Sequence, residues 1–218
     1  MTQLRECVSD RGVIYIEVPD SETPASGFMN YLIHFQHLTH FTSATLRATL
    51  ARAGLKAKVI ERYKDNPNGS GCKYPVLRAI AVRDLTQKPV DVPGQAREVW
   101  EAHAESVSQF DNTRWLPLEK RLKELKKGAK MGLFGAGAHT VALLDRLKDQ
   151  SLAWQIIFDN NPTQAGRLIR NIPIAQPSRD KLTACDAVLI SSQEYEDEIF
   201  SQVKDLAGDR LEILTIYR

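Results

Sequence analysis

Cysteine is scarce in this chain. Its 218 residues hold three, Cys7, Cys72 and Cys185, odd in number and far apart. No C-x-x-C pair occurs, so neither a disulfide framework nor a thiolate metal site is expected, and reduced thiols in a cytoplasmic setting are. Long apolar runs are missing too. None approaches the roughly 18 residues that a spanning helix needs, so no membrane segment is expected. Met1 to Cys7 carries the charge pair Arg5–Glu6 and no apolar h-region, so no secretory signal is expected. An excess of one charge is also lacking, since the net charge is +2. The one basic cluster, Lys120 to Lys130, is interleaved with Glu124, preceded by Glu119 and free of aromatics. It reads as a solvated helix face, and nucleic acid is not an expected partner. What remains is 43% hydrophobic and 26% charged, ordinary for a globular chain of one large or two small domains.

Chemistry concentrates in Lys130 to Thr140. An apolar run, Met131 to Phe134, stops at Gly135-Ala136-Gly137, and a helical pattern follows at Val141, Leu143, Leu144 and Leu147. A second apolar run, Trp154 to Phe158, closes on Asp159-Asn160-Asn161-Pro162. Strand, glycine turn, helix and strand with a terminal acid make a βαβ unit. In such units the first glycine allows a tight turn, the second lets a ligand approach the backbone, and the helix N-terminus offers N–H groups to a phosphate. Ala136, Ala138 and His139 lie along the same loop and helix start. Asp159, 24 positions after Gly135, is placed for a ribose hydroxyl. Thr140 stands where a third glycine or an alanine would allow close helix–strand packing. The same two glycines also suit a plain tight turn in a domain that holds no nucleotide.

Elsewhere the chain alternates strands and helices. A short helix over 2–9 precedes a strand, Val13 to Val18, cut off by Pro19. Thr42 or Ser43 caps a helix with Leu46, Leu50 and Ala53 on one face, ending at Gly54. Lys58 to Tyr63 and Val76 to Val82 read as a strand pair around a hairpin loop, Lys64 to Cys72. Composition changes at Lys88-Pro89. A helix then carries Ala96, Val99, His103, Val107 and Phe110 at helical spacing, and a second one begins at Pro117. After the βαβ unit come a turn-rich piece from Gly166 to Ile174 and a buried parallel strand, Asp186 to Ser191. A helix from about Tyr195 to Leu206 and a closing strand, Leu211 to Tyr217, complete the pattern. Glu194, Glu196, Asp197 and Glu198 read as the acidic first turn of that helix, which suits its dipole. Ser191 and Ser192 end a parallel strand, at the edge where ligands of open α/β sheets gather.

Three segments carry a resemblance: Gly12-Val-Ile-Tyr-Ile-Glu-Val-Pro-Asp20, His37-Leu-Thr-His-Phe-Thr42, and Thr45-Leu-Arg-Ala-Thr-Leu-Ala-Arg-Ala-Gly-Leu55. Together they resemble the closing third of a class I S-adenosylmethionine-dependent methyltransferase. The second half, through Gly135-Ala-Gly-Ala-His139, Asp159-Asn-Asn-Pro162, Gly166 and Ile172-Pro-Ile174, is similar to the C-terminal Rossmann-like domain of sugar C-methyltransferases. The resemblance implies an α/β protein: a partial, three-stranded methyltransferase-like sheet (1–88), a helical connector (89–127) and a small Rossmann-like parallel-sheet domain (128–218). It implies S-adenosylmethionine as cofactor. Yet the family's cofactor loop and ribose-holding acid find no match here, so this chain alone is not expected to bind it or to transfer methyl groups.

By the same resemblance His37 is the candidate catalytic base and Gln36 its orienting neighbour, standing where the family has Glu. An amide orients an imidazole without stabilising its charged form, so a weaker base is expected. The alternative for His37 is a residue that orders its loop. His34, His37 and His40 spread over too wide an arc of a helix for one ion, with no Asp, Glu or Cys beside them, and no metal site is expected. Gly-Ala-Gly-Ala-His139 also resembles the nucleotide-sugar-binding domain of some bacterial sugar acetyltransferases, so a nucleotide or nucleotide-sugar ligand without catalysis is the alternative function. An NAD(P)-dependent oxidoreductase ranks last, since no Tyr-x-x-x-Lys accompanies the glycine loop. Finally, the strand 13–18 would keep the last strand of its sheet as one neighbour and lose the other. With only Glu17 to blunt it, the edge is expected to be covered by a second copy or a separate chain.

Overall fold

The computed structural model describes residues 1–24, 39–65, 74–92, 94 and 96–218. They form two compact units, one up to Ser108 and one from Gln109 onward. His34, Gln36 and His37 lie outside the described residues.

The first unit is an antiparallel sheet with one helix on one face. After a short helix, α1 (Thr2–Glu6), come β1 (Val13–Pro19), α2 (Ser43–Arg52), β2 (Leu55–Asp65) and β3 (Tyr74–Arg83). The strand order is β1-β3-β2, both pairings antiparallel, so β1 has the last strand of the unit as its neighbour. β1 is rich in β-branched residues, which suit a pleated strand, and its even positions face inward. Ile14, Ile16 and Val18 pack with Leu46, Leu50, Ala53, Leu55, Leu77, Ala79 and Ala81. Thr42 starts α2 through a capping box: its hydroxyl accepts from the Thr45 amide (3.0 Å) and its own amide donates to the Thr45 hydroxyl (2.7 Å). Gly54, at φ +73°, ends the helix in the left-handed conformation that glycine adopts without strain.

The odd residues of β1 and, opposite them, the even residues of β3 face the other way, where no helix of this unit covers them among the described residues. Val13, Tyr15, Val59, Tyr63 and Ile80 are all exposed. Beside them Arg78 spans Glu17 (2.7 Å) and stacks its guanidinium 3.8 Å above the Tyr63 ring.

α3 (Ala96–Phe110) passes through one π-helical turn, Asp111–Trp115, into α4 (Leu116–Glu124). Where the sequence suggests a fresh helix at Pro117, the backbone is helical without a break. Pro117 lacks an N–H and its ring would crowd the carbonyl four residues back, and the wider π turn relieves that clash.

The second unit is a six-stranded sheet, β4 (Lys130–Phe134), β5 (Ala153–Phe158), β6 (Leu168–Ile169), β7 (Ile172–Ala175), β8 (Ala187–Ile190) and β9 (Glu212–Leu214), in the order β6-β7-β5-β4-β8-β9. All pairings are parallel except β6 with β7. These two form a hairpin through Arg170 and Asn171, both at positive φ, as a two-residue turn of that hand requires. Helices α5 (Ala138–Arg146), α6 (Arg179–Thr183) and α7 (Glu196–Ala207) complete the unit. Both sheet faces are covered, and the side chains of β4 and β8 alternate between them. Met131, Leu133, Ala187 and Leu189 join Phe110, Trp115, Leu118, Leu122, Leu143 and Leu147 on one face. Phe134, Val188 and Ile190 join Leu182, Ile199, Val203 and Ala207 on the other. Gly132 falls on the second face, where a Cβ would come within 2.9 Å of the Phe158 ring. Val141, counted above in the apolar stripe of α5, is exposed, whereas Leu143, Leu144 and Leu147 are buried. The unit is α/β with Rossmann-like strand order, and β4 stands at its switch point, with β5 on one side and β8 on the other.

Candidate functional site

The glycine loop leaves β4 at this switch point. Three backbone bonds fix its geometry. The Gly135 amide donates to the Phe158 carbonyl (2.7 Å), and the Ser191 amide donates to the Phe134 carbonyl (2.8 Å), so β5 and β8 both hold the loop. The Ala136 amide donates to the Asp159 carboxylate (2.7 Å). Gly135 itself sits at φ +113°, and a Cβ there would lie 2.8 Å from the Ser191 carbonyl oxygen. The fold therefore demands glycine at 135. Gly137 is different. Its backbone (φ −107°, ψ −174°) is one any residue adopts, and nothing stands within 4 Å of where a Cβ would be. α5 starts there, with Gly137 as N-cap and no side-chain cap, leaving the positive end of the helix dipole facing the loop.

Asp159, expected to hold a ribose, is half-buried and already engaged. One carboxylate oxygen takes the Ala136 amide and the other takes the Asn161 amide (2.8 Å). Each oxygen has a second lone pair, so the acid braces the loop and keeps acceptor capacity.

His139 is neither a solvent-exposed helix-start residue nor a free group at the mouth. Its Nδ1 lies 2.8 Å from the Ser191 hydroxyl and its Nε2 2.6 Å from the Tyr217 hydroxyl. Burial holds its pKa down at about 4, so the ring is neutral at pH 7. A neutral imidazole donates from one nitrogen and accepts at the other, so the Ser191–His139–Tyr217 relay runs in one direction at a time. Ser191 is also reached by the hydroxyl of Thr140 (2.8 Å), which is fully buried and bonds the Gly135 carbonyl as well. Thr140 thus replaces a close-packing glycine with a hydroxyl that ties β4, α5 and β8 together.

The structure brings Gly135, Ala136, Gly137, Ala138, His139, Asp159 and Ser191 into one place. Ser192 is less involved, its hydroxyl accepting from the Tyr195 amide at 3.3 Å. Three participants escaped the sequence reading: Thr140, Tyr217 and Glu196. Glu196 does stand in the acidic first turn of α7, with Asp197 and Glu198, and it is also buried, its oxygens accepting the amides of Ile216 (2.6 Å) and Tyr217 (2.9 Å). Burial pushes its carboxyl above the ordinary value, against the pull of the backbone N–H groups of Ile216, Tyr217 and Arg218. Glu196 clamps the last strand's exit and so presents Tyr217 to His139.

In the first unit, polar groups gather after β1. The buried Asp20 accepts from the Glu22 amide (2.9 Å) and the Thr23 hydroxyl (2.6 Å). Glu22 accepts from the Ser43 amide (3.0 Å) and from Arg62. The buried His103 donates from Nε2 to the Ser21 carbonyl (2.9 Å), since a carbonyl only accepts. These groups satisfy one another, which suits a braced chain turn. Among the described residues no cluster of His, Cys, Asp and Glu suits a metal, and no helix is long and apolar enough to cross a membrane.

No protein-family model matches the chain, and no curated protein matches it. Among solved structures it is similar to UDP-D-quinovosamine 4-dehydrogenase from Vibrio fischeri, at 20% identity over 40% of this chain and 77% of that one, with a TM-score of 0.35. It is also similar to RSP, a Rex-family repressor, at 14% identity over 54% of this chain and 60% of that one, with a TM-score of 0.33. The same repressor in complex with β-NAD+ and operator DNA aligns at 14% identity over 55% of this chain and 58% of that one, with a TM-score of 0.35. At these scores the likenesses carry no functional argument, and the fold assignment rests on the strand order given above.

Proposed function

We propose that the second unit is a binding module for a nucleotide or nucleotide-sugar, held at the Gly135–Gly137 loop, and that the chain by itself does not transfer methyl groups. Gly137 carries this reading. The fold requires glycine at 135 but not at 137, where the backbone is unstrained and the Cβ position empty. A phosphate approaching the backbone supplies the missing reason for glycine there. The start of α5 would take the phosphate by its N–H groups and dipole, and the spare lone pairs of Asp159 would take a ribose hydroxyl. The neutral His139 would offer hydrogen bonding rather than charge. A thermal-shift panel of a UDP-sugar, NAD+ and S-adenosylmethionine tests this. A rise in Tm with the UDP-sugar, lost in Gly137→Val, is expected; no rise with any nucleotide would sink the proposal.

A second reading concerns the first unit. The order β1-β3-β2, with the last strand between the other two and antiparallel to both, supports kinship with the closing strands of a class I methyltransferase sheet. On that reading S-adenosylmethionine belongs to a larger whole, with His37 as base and Gln36 beside it. Calorimetry with this chain alone should detect no S-adenosylmethionine binding. Micromolar affinity would contradict the view that the cofactor half lies elsewhere.

A further inference from the structure

We infer that a second small-molecule site, suited to a phosphate monoester, lies at the end of the second unit's sheet opposite the glycine loop. The inference is independent of the nucleotide reading. β8 and β9 run parallel, with Ala187 beside Glu212. Just ahead of these strands stand Cys185 and Leu211, both buried. With Arg179, Asp180 and Thr183 of α6, and with Arg210, they line a cleft of about 390 Å³, within the range that small-molecule sites occupy. The glycine loop leaves the C-terminal end of β4, which is parallel to β8. A cleft at the N-terminal end of β8 is therefore a different place.

Charge gives the cleft its chemistry. Elsewhere in this unit arginines end on carboxylates: Arg121 on Glu212 (2.7 Å), Arg146 on Asp111 (2.8 Å) and Arg170 on Asp145 (2.6 Å). Arg179 and Arg210 do not. Both are exposed and line one cleft, yet neither has an ion-pair partner among the described residues. The acids beside them are turned elsewhere: Asp209 meets Lys204 (3.4 Å), and Asp186 accepts the Lys130 amide (2.7 Å). Asp180 lines the same cleft and pairs with neither arginine. Two guanidinium groups at one cleft repel each other, and two arginines against one acid leave an excess of positive charge. A phosphate monoester, carrying close to two negative charges at pH 7, cancels that repulsion, and each guanidinium can give its oxygens a parallel pair of N–H bonds. A single carboxylate brings half the charge. Asp180, which only accepts when ionised, suits a hydroxyl on the ester's organic part, and Leu211 offers it an apolar wall. Cys185 lines the cleft without being a nucleophile, since burial pushes its thiol pKa up.

Amide-resolved NMR of the full 218-residue chain, titrated with glycerol 3-phosphate at constant ionic strength, tests this. Saturable shifts at Thr183, Cys185 and Leu211 are expected, with the dissociation constant raised at least about tenfold in Arg179→Gln and in Arg210→Gln. Both side chains are exposed, so the far-UV spectra of these variants should match the wild type. Arg167→Gln removes an exposed arginine beside β6, at the other edge of the sheet, and should leave the constant unchanged. Gly137→Val, expected to abolish nucleotide binding at the loop, should leave the cleft shifts intact, so the two readings fail separately. The inference is overturned by any of four results: no saturable shift at the cleft, the same response to sodium chloride, a constant indifferent to both cleft arginine variants, or tighter binding of malate than of glycerol 3-phosphate.

Discussion

The two sheets of this chain solve the same packing problem to different degrees. In the second unit every inward position finds a partner: the β8 residues Ala187, Val188, Leu189 and Ile190 are all buried, alternately against the two helical layers. In the first unit β1 buries one side against α2 and leaves Val13, Tyr15 and Glu17 on the other. A parallel strand covered on both faces must be apolar throughout, whereas an antiparallel strand can leave one face to solvent. Here the open face keeps Val13, Tyr15, Ile80 and Val59, more apolar surface than a solvated face calls for. The second sheet is therefore covered on both faces, whereas the first leaves an apolar face open among the described residues.

The sharpest way to break that contrast is to disturb one tight and one open position. Gly135→Ala puts a Cβ 2.8 Å from the Ser191 carbonyl at a φ of +113°, combining backbone strain with overlap against main chain. A loss of about 4 kcal/mol is expected in urea unfolding of the second unit. Ile80→Ala, on the open face, should cost below about 1 kcal/mol. Comparable losses would mean that the open face is load-carrying in the single chain.

A smaller effect separates the units by pH. His139 is held at about 4 by burial, below its ordinary value near 6.5. The unfolded chain thus binds the extra proton first. The associated stability is complete above about pH 6.5 and declines as pH falls toward 4, by on the order of 3 kcal/mol in all. In the first unit Glu17, through its bonds from Arg78 and Tyr15, is held below the usual carboxylate value. So is Glu22, whose burial is outweighed by Ser43 and Arg62. Their contribution persists down to about pH 4.5 and is lost only below it. Glu196, raised by burial, acts with the opposite sign, so the informative quantity is wild type minus His139→Gln. That difference in Tm should shrink between pH 6.5 and 4.5, and a flat difference would show that His139 titrates normally.

The βαβ unit was legible because its signals are local: an apolar run, two glycines, a helical stripe and a terminal acid within thirty-odd residues. The helix start at Thr42 or Ser43 and the strand from Val13 to Val18 were legible for the same reason. The relay from Ser191 through His139 to Tyr217 was not, since it joins residues 52 and 78 apart in sequence and no spacing rule reaches that far. Glu196 looks like its exposed neighbours Asp197 and Glu198 until the chain end at Ile216 and Tyr217 folds over it. The β6–β7 hairpin turns on Arg170-Asn171, at positive φ without the glycine that normally announces such a turn. The π turn before Pro117 has no sequence code, only a steric cause.

The most direct test of the nucleotide reading is amide-resolved NMR on the whole chain titrated with a UDP-sugar. Saturable shifts centred on Gly135 to His139, with smaller ones at Asp159, Ser191 and Ser192, are the expected result. No saturable change in that loop, or changes confined to the first unit, would contradict the account.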